Sequence, residues 1–282
     1  MNDSRALRLV TSCVLLIGML PWATGCRTNM QPDGEEAPEI PPASTFVMDF
    51  SDFVDGGASK LALDRTDPTT MQLIVRANWG RAALKVGIWN AIITVGLAVP
   101  VAAFLESFNH IPEIQTDGSW VWSYEVSVTG VIHTAELHAL VVDGNVEWNM
   151  FISKEGFYTD FNWFSGLSNL AGTEGTWTLN KDPDDPTAFV GIEWHRNLQD
   201  ETGDIKYTNI VPDGPENGGY IFHGITGEAF DAFYEIFNKG QDNLTNIEWS
   251  RTTKEGRIRD PAHFSDEDWR CWDTALLDIE CP

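Results

Sequence analysis

The chain has 282 residues, of which 43% are hydrophobic and 11% aromatic, a composition typical of globular proteins and unlike disordered ones. Its formal net charge is −24, from 42 acidic and 18 basic residues, which argues against nucleic acid as a partner because phosphates require a basic face. The same charge argues against attraction to anionic lipid head groups, and it predicts a solvated acidic surface.

The first residues have the pattern of a targeting signal. A short basic start precedes an apolar run at residues 9–20, and small residues then lead directly to Cys26. This pattern predicts a secretory signal, which is removed from the mature protein. An ordinary secretory signal without acylation, or an uncleaved anchor, is the alternative.

The run Ala23-Thr24-Gly25-Cys26 resembles the lipobox of bacterial lipoproteins. The resemblance implies that residues 1–25 are a lipoprotein signal peptide and that Cys26 is acylated and becomes the N-terminus. It also implies a protein of the cell envelope that is attached to the membrane by its lipid anchor. The outer membrane is the expected location, on its periplasmic face or at the cell surface.

Residues 26–42 are rich in proline and acidic residues, and this composition predicts an extended tether. A single globular domain is expected at 43–282, with a helical part at about 67–110, a sheet at about 118–252 and a tail at 253–282. Alternation of Phe46, Met48 and Phe50 predicts a short strand within 43–53. Asp67-Pro68 is typical of a helix start, so a first helix is predicted at 67–77.

The segment from 86 to 105 contains no charged residue, and its apolar side chains occupy every helical face. It is long enough to reach across a bilayer, but it carries Asn90, has no basic flanking clusters and is rich in small residues. We favour a helix buried in the protein over a membrane span or re-entrant hairpin. Gly96 and Pro100 predict a kink in it.

From residue 119 the apolar residues recur at every second position, which is typical of strands with one buried face. Asp143-Gly144 predicts a hairpin turn. Strands are predicted at 119–128, 131–142, 146–153, 156–163, 175–180, 188–196, 205–211, 219–224 and 244–252, with 226–239 as a strand or a short helix.

The pattern aliphatic-Glu-Trp-polar occurs three times, around Trp148, Trp194 and Trp249. Because neighbouring residues of a strand point to opposite faces, it predicts equivalent strands of one curved sheet with tryptophan inward and glutamate outward. Buried aromatic residues usually form core. The alternative is an aromatic ligand-binding box, for which the candidates are Trp120, Trp122, Trp148, Trp194 and Trp249.

The four cysteines have different expected roles. Cys13 lies in the signal peptide and Cys26 is the expected acylation site. Cys271 and Cys281 would lie in an oxidising compartment, so we predict a disulfide that pins the C-terminal tail. A metal-binding pair is disfavoured because the spacing is too long and no further ligand cluster accompanies it.

Histidine and glutamate residues on two predicted strands are the best metal candidates. Glu136 and His138 would share one face of a strand, and His133 would lie on its opposite face. Glu193 and His195 would share one face of another strand. The two pairs would converge only if these strands paired. We favour solvated side chains, and we expect no metal site and no cofactor.

Acidic loops at 180–186 and 200–204 offer oxygen donors for calcium, but they lack the EF-hand spacing and are good hairpin turns without a metal. The sequence contains no nucleophile elbow, phosphate-binding glycine loop or dinucleotide fingerprint. Acid–base pairs can assemble from distant residues, so an enzyme remains an alternative that no motif supports.

Two C-terminal runs, Arg257-Ile258-Arg259-Asp260-Pro261 and Trp269-Arg270-Cys271-Trp272-Asp273, resemble the tail of bacterial lipoproteins of unknown function, which implies no activity. The expected fold is α+β, a curved antiparallel β-meander or partly open β-barrel packed on a long apolar helix. The expected function is non-enzymatic binding of a hydrophobic small molecule or an envelope protein through the helix–sheet core. The alternatives are an accessory or structural subunit of an outer-membrane complex, and a glycan-binding or glycan-hydrolysing surface lipoprotein.

Overall fold

The period-two pattern that begins at residue 119 builds most of the molecule. A computed structural model describes residues 36–54 and 76–282. These residues form mostly antiparallel β-sheet with a few helices. Cys26, the signal peptide, the tether up to residue 35 and most of the helix predicted at 67–77 lie outside the described residues.

Fourteen strands form one antiparallel sheet in which each strand pairs with the next along the chain. The two edge strands do not pair with each other within 76–282, so the sheet is an open meander and the barrel alternative is wrong. The strands are β1 (Glu113–Ile114), β2 (Trp120–Val128), β3 (Val131–Val142), β4 (Asn145–Lys154), β5 (Tyr158–Asn169), β6 (Glu174–Asp182), β7 (Asp185–Asn197), β8 (Thr202–Asn209), β9 (Tyr220–Ile225), β10 (Ala232–Asn238), β11 (Asn243–Trp249), β12 (Gly256–Arg259), β13 (Arg270–Trp272) and β14 (Asp278–Ile279).

The hairpin between β3 and β4 follows the sequence prediction. Asp143 and Gly144 both have positive φ, 51° and 82°, which suits the tight turn that joins two twisted strands. The repeated motif is also confirmed, because Trp148, Trp194 and Trp249 are all buried on the inner face of the sheet. The region at 226–239, where the sequence predicts a strand or a short helix, contains β10.

Helices α1 (Ser51–Val54), α2 (Ala77–Gly96), α3 (Ala98–Ser107) and α4 (Pro261–Phe264) complete the fold. The predicted kink is confirmed: α2 and α3 meet at Leu97 with an angle of 74°. Proline has no N–H, so Pro100 cannot donate to the carbonyl of Gly96, and the helical ladder is interrupted there. Helix α3 packs on β2, where the hydroxyl of Tyr124 donates to the Ala103 carbonyl at 2.7 Å.

The strand predicted within 43–53 is not present. The alternation is correct in placing Phe46, Met48 and Phe50 in the core, but this stretch has no partner strand. Its backbone is held instead by tyrosine side chains of the sheet: the Tyr207 hydroxyl accepts from the Met48 N–H at 2.9 Å and donates to the Phe46 carbonyl at 2.7 Å. We call residues 46–50 the inner segment.

Aromatic rings fill the space between the sheet and the inner segment. The ring of Phe46 stacks on Phe104 of α3 at 4.6 Å and also contacts Phe164 and Trp177 of the sheet, at 4.7 and 5.7 Å. Phe53 reaches Trp249 near the other end of the sheet at 4.9 Å. The interior of the sheet is therefore occupied by the chain itself.

The folded unit begins before the expected domain limit at residue 43, and its sheet continues past the expected end at about residue 252. Ile40 and Pro41, predicted to belong to an extended tether, are buried, and the compact unit begins at Ala37. The tail contributes β12 to β14, which are too short to give a sequence pattern. The predicted disulfide between Cys271 and Cys281 is present and closes this tail.

Candidate ligand-binding groove

Helix α2 is buried on one side only. Trp79, Ala82, Val86 and Ile93 are buried, whereas Leu84, Ile88 and Ile92 are 51–55% exposed and Val95 is 82% exposed. The expectation of a helix covered on every face is wrong for α2, because the inner segment and α3 already fill the interior of the sheet. An apolar helix face therefore remains uncovered by the described residues.

No single helix within 36–54 and 76–282 is long and apolar enough to cross a membrane. Taken together, α2 and α3 reach the required length and hydropathy, with the 74° bend between them.

A groove runs along α2, between the helix and the sheet. Its first section has a volume of about 480 Å³ and is mostly apolar. The helix contributes one face, including Leu84, Ile88 and Ile92, and the sheet contributes Phe189 of β7 and Ile236 of β10. This size and lining are typical of sites for small hydrophobic molecules.

The groove continues beyond Ile92 and Phe189, which line both sections. The second section has a volume of about 770 Å³ and reaches Val95 and Trp163. The indole N–H of Trp163 is buried and has no hydrogen-bond partner among the described residues. Lys181, Asp182 and Asp185 line this section as well, so its walls are polar as well as apolar.

Positive charge is concentrated where the first section approaches the start of α2. The Arg81 Nε lies 2.8 Å and the Lys85 Nζ 3.5 Å from the same carboxylate oxygen of Asp260, which is fully buried. The Asn243 side chain donates to the other oxygen of Asp260 at 2.8 Å. Burial alone would raise the pKa of Asp260, but the hydrogen bonds from Asn243 and Arg81 and the charge of Lys85 outweigh it and lower this pKa.

The candidate ligand-binding tryptophans lie elsewhere. Trp120, Trp122, Trp148, Trp194 and Trp249 are all buried in the core, and none of them lines the groove. Two of them donate their indole N–H within the protein, Trp148 to the Ser168 hydroxyl at 2.9 Å and Trp249 to the Asp52 carboxylate at 2.7 Å. The sequence shows the helix side of the groove as Arg81 and Lys85 beside apolar residues four apart. It does not show the sheet side, because the tertiary fold determines which strands face α2.

The histidine and glutamate candidates do not converge. Glu136 and His138 share the outer face of β3, as strand geometry predicted, with 3.2 Å between the His138 Nε2 and the carboxylate. His195 on β7 pairs instead with Asp204 at 2.8 Å, and three strands separate β3 from β7. Across the described ranges, no group of three histidine, cysteine, aspartate or glutamate side chains is placed to hold a metal ion.

The acidic loops form hairpin turns. Asp182 accepts hydrogen bonds from the backbone N–H groups of Asp184 and Asp185, at 3.0 and 2.8 Å, and Lys181 forms an ion pair with Asp185. In the second loop the Asp200 carboxylate accepts a hydrogen bond from the Asn197 side chain at 2.7 Å. The acidic oxygens named here therefore have partners within their own turns.

A polar hollow of about 560 Å³ contains the His195–Asp204 pair and His223. The His223 ring contacts the Phe233 carbonyl through Nδ1 at 2.9 Å, and burial lowers its pKa. Neither imidazole forms a hydrogen bond with a serine, threonine or cysteine in the part of the chain that the structure describes. The hollow thus presents no assembled nucleophile and base.

Comparison with known proteins adds no family to these observations. No protein-family model, no curated protein and no solved structure matches the chain.

Proposed function

We propose that the chain is a non-enzymatic cell-envelope lipoprotein that binds a hydrophobic ligand in the groove along α2. The observation that carries this proposal is the open apolar channel between α2 and strands β7 to β10, beside a core that is otherwise filled. An uncovered apolar surface of this kind is typical of binding sites, because exposing it to water costs free energy.

The anchor is the second part of the proposal. The lipobox-like sequence at Cys26 supports acylation, and ten residues separate Cys26 from the start of the compact unit at Ala37. Acyl chains on Cys26 would hold the domain near the membrane, where hydrophobic molecules are available. An outer-membrane location follows only from this resemblance.

A role as an accessory subunit of an outer-membrane complex is the second candidate. It is supported by Val95, which is 82% exposed on the same apolar face and would be covered by a protein partner. The glycan-binding alternative has less support, because the tryptophans proposed to stack on sugars are buried.

Titration of the full chain with a fluorescent fatty-acid analogue tests ligand binding. We expect saturable binding that Ile88→Glu reduces at least about tenfold, because a charge in the groove would have to be desolvated by the ligand. Leu170→Glu is the matched control, since Leu170 is 56% exposed and lies outside the groove. No saturable binding, or equal loss in both variants, would overturn the proposal.

A further inference from the structure

We propose that the groove selects a single-chain amphiphile with one negative charge on its head group, a long-chain carboxylate. The head group would lie at Lys85 and Arg81, and the chain would extend along α2 toward Val95. This inference rests on the proposed function, because it names the class of ligand that the same groove binds.

The charges at the head-group end do not cancel. Arg81 and Lys85 share one carboxylate, that of Asp260, so one positive charge is in excess within this group of three. The Arg81 Nε is at hydrogen-bond distance from Asp260, whereas the Lys85 ammonium is farther away, at 3.5 Å. In a chain with a net charge of −24, this group of three contacting residues carries a net positive charge.

The burial of the Lys85 side chain strengthens its attraction for an anion. Its side chain is only 11% exposed, so its ammonium group has lost much of its hydration. A poorly hydrated charge interacts more strongly with a nearby opposite charge than an exposed one does. A carboxylate that entered the groove would therefore be attracted mainly by Lys85, while Arg81 remained bound to Asp260.

A carboxylate in the wall of the groove opposes more than one negative charge. Glu216 lines the first section, and its Oε2 accepts a hydrogen bond from the Gly240 N–H at 3.2 Å. Among the residues that the structure describes, Glu216 forms no ion pair with Arg81 or Lys85. With Glu216 the positive and negative charges around the first section are equal in number, so the attraction of an anionic head group depends on its place beside Lys85, and a second negative charge would be repelled.

The groove follows α2 over several helical turns, from Lys85 to Val95. From Lys85 to Val95 the helix advances by ten residues, which corresponds to about 15 Å at a rise of about 1.5 Å per residue. Ile88 and Ile92 follow on the helix side, and the second section continues past Val95. The second section is also lined by Lys181 and Asp185, which form an ion pair with each other at 2.8 Å, so the Lys85 end would hold the anionic head group and the apolar helix side would hold the chain.

The test compares palmitate, hexadecanol and hexadecylamine, which share the same chain and differ in the charge of the head group. We expect the full chain to bind palmitate about tenfold more tightly than hexadecanol, and hexadecylamine most weakly, by isothermal titration calorimetry. Lys85→Met should remove the preference, so that palmitate and hexadecanol bind this variant with equal affinity. Lys154→Met is the matched control, because it removes the same charge on β4, outside the groove.

The outcomes separate the two proposals. Equal affinity of the native chain for palmitate and hexadecanol would overturn the carboxylate preference while leaving the hydrophobic groove in place. Failure of all three compounds to bind would overturn the proposed function as well. If Lys85→Met does not fold, Lys85→Arg serves instead: it keeps the charge, so loss of the palmitate preference in this folded variant would contradict attraction by charge, and its retention would support it.

Discussion

Gly166 on β5 lies directly opposite Trp177 on β6, and a Cβ atom at Gly166 would be 2.1 Å from the indole ring. The same relationship joins Gly175 to Trp194, where the closest ring atom would be 2.5 Å away. Because each glycine has no side chain, the indole ring of the opposite tryptophan can lie directly over the strand that contains the glycine. These pairs allow the inner face of the sheet to hold several tryptophans side by side.

Replacement of Gly166 by alanine should therefore destabilise the fold by about 3 kcal/mol, because neither the buried ring nor the Thr176 carbonyl, 2.7 Å from the added Cβ, can easily move. Urea denaturation measures the change. Gly87→Ala is the control: a Cβ at this helical position meets nothing within 4 Å, so we expect a gain of about 0.5–1 kcal/mol. Equal stability of Gly166→Ala and the native chain would contradict the packing described.

Removal of the Tyr207 hydroxyl tests how the inner segment is held. Tyr207→Phe leaves the Met48 N–H and the Phe46 carbonyl without their buried partner, at a cost of about 2–3 kcal/mol in the free energy of unfolding. Tyr158→Phe, at a half-buried tyrosine whose hydroxyl contacts His133, should cost less. A larger effect at Tyr158 would show that the inner segment does not depend on Tyr207.

Asp260 should make stability depend on pH in the acid range. Its pKa is lowered in the folded protein, so its contribution is present at neutral pH and is lost as the pH falls below about 4. Asp260→Asn should cost about 3 kcal/mol at pH 7, because Arg81 and Lys85 lose their buried partner, and the difference from the native chain should shrink toward pH 2. Thermal unfolding at several pH values would show this. Asp231→Asn, which breaks the more exposed pair with Arg251, is the control and should have a smaller effect.

His223 should act in the same direction as Asp260, but between neutral and mildly acid pH. Burial lowers its pKa, while the hydrogen bond to Phe233 and the charge of Asp49 partly offset this effect. The unfolded chain therefore binds the proton more readily, and stability should fall as the pH falls below about 6.5. His223→Gln should reduce this slope, although His133, whose pKa is also lowered by burial, would retain part of it. An unchanged slope would contradict the assignment.

Membrane attachment depends on Cys26 in the proposed function. Cys26→Ser should move the protein from the membrane fraction to the soluble fraction after cell lysis and centrifugation, because the acyl chains would be absent. Cys13→Ser changes a cysteine within the predicted signal peptide and should leave the protein in the membrane fraction. If Cys26→Ser stays membrane-bound, another segment anchors the chain.

The sheet was largely predictable because its determinants are local. The alternation that begins at Trp120 specifies a strand, and the Asp143-Gly144 pair specifies a turn. The Glu-Trp motif specifies which side chain faces inward, and each of these signals lies within a few residues. The inner segment was not predictable in the same way, since the tyrosine that holds Met48 lies 159 residues away in sequence.

The groove was also beyond the reach of sequence patterns. Arg81 and Asp260 are 179 residues apart in sequence, and nothing in their neighbourhoods indicates that they meet. The apolar segment was recognised, but a pattern of apolar residues on every face does not reveal which face the rest of the protein leaves uncovered. That depends on the inner segment and α3, which occupy the interior of the sheet.

Native mass spectrometry of the full chain, purified from its own cells without added lipid, tests the central claim most directly. The account predicts a retained mass of the size of one lipid or fatty acid, which Ile88→Glu removes and Leu170→Glu does not. A folded native chain with no retained mass, and with no uptake of palmitate when it is added, would contradict the claim that the groove along α2 is a ligand-binding site.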